Sequence, residues 1–133
     1  MIMKKLLLAF SMVGAIAGSV QVAAHHAFAA EFDVNSPVEF IGTVTKVELI
    51  NPHSWITVSV KDEDGNEVSW MIEGGSPNSL FRQGITKNSI PLGSDLKIFG
   101  YQARDGAPRA VGRDITFADG SPLFFGGSRP ENQ

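Results

Sequence analysis

Val68-Ser69-Trp70-Met71-Ile72-Glu73-Gly74-Gly75-Ser76-Pro77-Asn78-Ser79-Leu80-Phe81-Arg82-Gln83-Gly84 contains a strand, a break and a helix start in one run. Val68, Trp70 and Ile72 recur at period two, so residues 68–73 read as a strand with one apolar side. Gly74-Gly75 ends it. Ser76 is placed to cap a helix. Pro77 suits the first helical position, where the missing N–H would have no partner anyway. Residues 78–83 allow barely two turns before Gly84 supplies a C-terminal stop.

Upstream of this run lie two further strands. Val38, Phe40, Gly42 and Val44 alternate with Glu39, Ile41, Thr43 and Thr45, and the apolar series then continues one residue late at Val47 and Leu49. Such a slip predicts a bulge near Thr45-Lys46, and Gly42 predicts a sharply coiled strand. Asn51-Pro52 closes it. Residues 54–61 form the second strand, with Ile56, Val58 and Val60 on one side and His53, Trp55 and Thr57 on the other. Asp62-Glu63-Asp64-Gly65-Asn66 resembles the start of a calcium loop but lacks the later ligands, and reads as a solvated hairpin turn.

Downstream, Ile90 to Asp95 is a loop, residues 96–102 a fourth strand and residues 110–117 a fifth, with Asp105-Gly106 between them. Leu123 to Phe125 reads as a last short strand. Three strands, one short helix and two strands predict an all-β barrel. They match the five-stranded Greek-key barrel of the OB-fold, whose helix lies between strands three and four. A small SH3-like barrel or an open meander is the alternative. The expected organisation is a signal peptide over 1–24, an N-terminal arm over 25–37, an OB-like domain over 38–125 and a tail over 126–133.

Composition bounds the function. The chain has 133 residues, 43% hydrophobic and 19% charged, an ordinary globular balance in which no internal repeat or low-complexity segment stands out. Its formal charge of −3 argues against nucleic acid, which needs a basic footprint. With no Cys, disulfides, thiolate metal sites and cysteine catalysis are excluded. Lys4 and Lys5, the apolar run Leu6 to Ala17, and small Val22 and Ala24 before His25 together read as a secretory signal peptide. The apolar run is too short for a dedicated membrane span. Cleavage before His25 leaves 109 residues, and loss of Lys4 and Lys5 takes the charge from −3 to −5. An uncleaved anchor, or cleavage after Ala29, are the other outcomes. The mature chain is expected to be periplasmic or secreted, with no stable membrane span.

The chain has three histidines: His25, His26 and His53. After cleavage before His25, that residue offers an α-amine and an imidazole, and His53 or His26 adds a second imidazole. Three nitrogens in a T shape form a histidine brace, a site that suits copper. The thirteen residues 25–37, extended, reach roughly 40 Å, enough for His25 to fold back on His53. Glu31 and Asp33 are carboxylates that could assist. The bland reading is a polar terminus and a turn histidine. Trp55 and Glu73 are candidates for a ligand or partner face, although Trp55 can equally pack under the arm against Phe28 or Phe32. Glu73 could act as an acid or base but has no second carboxylate beside it. Gly74 to Asn78 places backbone N–H groups at a helix start, where an anion can bind, though a plain capped helix is commoner. Arg82, Arg104, Arg109 and Arg113 are scattered and read as solvated. Hydrolase elbows, zinc-protease motifs and dinucleotide fingerprints are missing.

His25-His26-Ala27-Phe28, Glu31-Phe32-Asp33, Gly42-Thr43-Val44, Asn51-Pro52-His53-Ser54-Trp55, Trp70 to Asn78 and Gly100-Tyr101 together resemble a family of small exported bacterial proteins of unknown function. The resemblance covers nearly all of the mature chain. The family form carries Ser where this chain has Ala27. The resemblance implies export and domain limits and brings no activity or site residue. The expected function is therefore a non-enzymatic exported binding module with copper as candidate cofactor. Its alternatives are a metal-free module for a small ligand or periplasmic partner protein, and an enzyme using Glu73.

Overall fold

The computed structural model describes residues 30–126. His25, His26 and Phe28, the signal segment and the tail beyond Gly126 lie outside the described residues. The chain divides before Phe32, and the unit from Phe32 onward carries all five strands. These are β1 (Phe32–Leu49), β2 (Ser54–Lys61), β3 (Glu67–Glu73), β4 (Asp95–Ala103) and β5 (Arg109–Phe117). One short helix, α1 (Pro77–Arg82), and a 3-10 turn (Lys87–Ser89) lie between β3 and β4. Pairing runs β1-β2-β3-β5-β4 and returns to β1, closing a barrel. All neighbours are antiparallel except β3 and β5, which meet in parallel over Met71–Glu73 and Arg109–Val111.

β1 serves two neighbours because it is long and bent. From Pro37 to Thr43 it pairs with β4, and from Thr43 to Leu49 with β2. Its register slips between Val44 and Lys46, where the displaced apolar series indicated a bulge. Gly42 is needed for close approach: a Cβ there would stand 2.7 Å from Val58 Cγ2. The strand also starts at Phe32, six residues before Val38. Asn35, Ser36 and Pro37 look like strand breakers, yet Asp33 accepts the Asn35 N–H (2.9 Å) and the Ser36 hydroxyl (3.3 Å). The chain absorbs them as an irregularity between Phe32 and Pro37 and recovers its pairing with β4.

The core fills the barrel from alternate positions. Ile56, Val58, Ile72, Leu96, Ile98 and Ala110 are fully buried, as period-two strands with one inward side require. Leu80, Ile85 and Ile90 join the same core, so the β3–β4 connection packs on the barrel. Ser76 caps α1 by accepting the Ser79 N–H at 3.3 Å. At the other end, Ile85 N–H reaches the Leu80 carbonyl and Gly84 N–H the Phe81 carbonyl, both at 3.0 Å. With Gly84 at φ +79°, this is a Schellman ending, and buried Leu80 and Ile85 supply its apolar contact.

Residues 123–125 form no strand. A single bridge joins Thr116 to Pro122, and proline has no N–H to extend the ladder. The segment instead forms a strap: Leu123 N–H binds the Ile115 carbonyl, and the Phe125 carbonyl accepts the Gly75 N–H. Leu123 and Phe125 are both buried.

Candidate functional site

At one end of the β2–β3 hairpin, Asp62 ties the turn. Its carboxylate accepts the Asp64 and Asn66 N–H groups at 3.0 and 2.8 Å, and Gly65 takes φ +83°. Contrary to the expectation that the later calcium ligands are missing, Glu73 is twelfth counting from Asp62, where a calcium loop keeps its bidentate carboxylate. Extended β3 instead carries it to the opposite end of the hairpin, roughly 20 Å of strand away.

That opposite end is locked by the backbone. Ser54 N–H binds the Gly75 carbonyl, and Gly74 N–H binds the Ser54 carbonyl, each at 2.8 Å. Trp55 sits opposite Glu73 on β2, and Glu73 opposite Val111 on β5. The Gly74 position has no room for a side chain, since a Cβ would stand 2.4 Å from the Phe125 ring. Glu73 therefore projects from a fixed backbone, on the side opposite the Ile72 and Ile56 core. It is nonetheless only 5% exposed. Its carboxylate Oε1 contacts Nδ1 of His53, whose side chain is 54% exposed. His53 follows a cis Asn51-Pro52 bond in the β1–β2 loop.

Chemically, this is an exposed imidazole held at one nitrogen by a buried carboxylate, with its other nitrogen available for a proton or a metal. Among the described residues, no three His, Cys, Asp or Glu side chains gather as a metal-holding group.

The remaining candidates separate. Trp55 is half-buried, beside Glu48 and Glu73 in register. Asp33 is taken up by its own turn, and the Asn35 N–H, helped by Ser36 and Arg104, holds its carboxyl below the usual range. At Gly74–Asn78 the plain capped helix, the commoner reading, is what forms. Gly74 and Gly75 donate to the Ser54 and Phe125 carbonyls, Ser76 caps Ser79, and Pro77 has no N–H. Arg82, Arg104 and Arg113 are exposed, whereas Arg109 is half-buried and its Nη2 lies 3.8 Å from Asp105.

The chain matches, over residues 14–112, a family of unknown function, DUF6152. It belongs to that family. The matched span includes all three histidines, Trp55 and Glu73, and ends within β5. No curated protein matches the chain closely enough to count as a relative.

Two features escaped the sequence reading. The His53–Glu73 pairing was legible in principle: counting back from the 62–66 turn places Trp55 opposite Glu73 and His53 two residues beyond. A groove of about 630 Å³ was not legible, because it joins the end of β1 (Lys46 to Ile50) to residues 87–92 across the chain. Ile50 and Leu92 line it, 65% and 69% exposed.

Proposed function

We propose that this family member is an exported binding module that holds copper through His53 and the histidines of its mature N terminus. The observation that carries the reading is the His53 imidazole, exposed and yet oriented by the buried Glu73 carboxylate. Metal-ligating histidines characteristically rest their second ring nitrogen on such an acceptor. The sequence supplies the rest: a signal peptide ending at Ala24 frees the His25 amine and imidazole, and three nitrogens favour copper. The scaffold reading is an OB-like barrel. It is supported by the β1-β2-β3-β5-β4 order, the bulged β1 shared between two neighbours and the helix between β3 and β4. Intact mass of the exported protein, followed by titration with Cu(II), tests the function. One equivalent bound tightly, and lost in His53→Ala or when a Met precedes His25, is expected. Equal affinity in those variants would remove the copper reading.

A second, metal-free reading rests on the groove between β1 and residues 87–92. Its volume and apolar walls suit a small ligand. Binding of an anilinonaphthalene sulfonate probe that survives chelation and is lost in Leu92→Asp supports this reading. Failure to bind in metal-free protein counts against it.

A further inference from the structure

We propose that Glu73 is a positioning residue that fixes His53 in a single tautomer, with the proton on Nδ1 and the lone pair of Nε2 facing outward. The inference rests on the metal-binding reading only for its use, since the tautomer is a property of the metal-free protein.

A neutral imidazole has one N–H and one bare nitrogen. Nδ1 of His53 contacts Oε1 of Glu73, and an ionised carboxylate only accepts. The proton therefore belongs on Nδ1, and Nε2 is left to accept a proton or bind a metal. The carboxylate starts from a fixed backbone and is buried. Its backbone is held by β2 on one side and β5 on the other. The residues on either side of it, Ile72 and Gly74, are buried and sterically closed respectively. The imidazole is equally constrained at its base, because Ser54, the next residue, is fully buried and bonded through its backbone to both Gly74 and Gly75. A fixed carboxylate and a fixed loop end thus determine which nitrogen reaches solvent. A carboxylate on Nδ1 holds the ring in one orientation, which suits a bond from Nε2 to a late transition metal. The class of ligand this favours is a nitrogen-preferring ion such as copper, with Nε2 as the coordinating atom.

The test is two-bond 1H–15N correlation of the His53 ring in metal-free, processed protein above the pH at which the imidazole is neutral. The wild-type chain is expected to show a protonated Nδ1 and a bare Nε2. Glu73→Gln, whose amide can donate as well as accept, is expected to lose this preference and to bind Cu(II) roughly 10- to 100-fold more weakly at unchanged stoichiometry. A wild-type His53 protonated at Nε2 overturns the inference, and that measurement needs no variant to fold. An unchanged tautomer in folded Glu73→Gln overturns it as well. A fixed Nδ1–H tautomer in a protein that binds no Cu(II) supports the positioning role and removes the copper reading alone.

Discussion

The two ends of the β2–β3 hairpin use carboxylates in opposite ways. At the turn, Asp62 is exposed and bonds to residues two and four positions away. At the other end, Glu73 is buried and reaches His53, twenty positions earlier in the chain. The first arrangement is local and shapes a loop. The second needs the β2–β3 hairpin to close along its whole length before it can form. A carboxylate's role therefore depends less on its residue type than on whether its partners are neighbours in sequence or in space.

Glycines at the two ends should give the sharpest contrast. Gly74→Ala drives a Cβ into the Phe125 ring and its carbonyl, and should destabilise the protein by about 3 kcal/mol or more. Gly65→Ala meets no atom within 4 Å and bears only the positive-φ cost, about 1 kcal/mol. Denaturant midpoints for the two variants measure the difference, and equal shifts would break the comparison.

The carboxylates come next. Glu73→Ala, leaving His53 without its acceptor, should cost about 2 kcal/mol, against about 1 kcal/mol for Asp62→Ala. Double-mutant cycles should find coupling between Glu73 and His53 and none between Asp62 and His53. Coupling of the second kind would show that the ends are not independent.

A smaller effect is expected from the exposed turn carboxylates. Asp33 is lowered by the Asn35 N–H, and Asp119 by the hydroxyl and N–H of Ser121. A folded value below the unfolded one means that their stabilisation is present above the ordinary value of 3.8 and is lost as pH falls through the lowered values. Asp119→Asn should therefore flatten the acid limb of stability only slightly, because the group is exposed and screened. Melting temperatures across that limb read it out.

The smallest effect belongs to Ser54→Ala. The Ser54 hydroxyl is buried with no hydrogen-bond partner among the described residues, so its removal should leave stability unchanged or slightly raised. A marked loss in thermal melts would show that the hydroxyl has a partner at the site end.

How much could be read in advance follows the same division. The β2 limits, the Ser76 cap, the Gly84 stop and the β1 bulge depend on residues within one turn or one strand, and each stands where periodicity and capping chemistry indicated. The start of β1, residues 32–37, was hidden because Asn35, Ser36 and Pro37 signal a break unless Asp33 is seen to bond to two of them. Residues 123–125 looked like a strand, yet their polar backbone is satisfied by Ile115 and by Gly75, far away in sequence. The site divided likewise. His53 and Glu73 each stood out as residue types, but neither pointed to the other until the hairpin register was followed to its far end.

By itself, the sequence determined the alternation that makes strands, the punctuation that places one helix after the third, and the scarcity of histidine that singles out His53. Those are local matters of dihedral preference, capping and period. Only the tertiary structure decided that Glu73 is buried behind His53, that the glycine N–H groups are taken up by protein carbonyls, and that β1 faces residues 87–92 across a groove. Each of these depends on which distant partner a residue meets once water is excluded. That partner is chosen by the closing of the barrel.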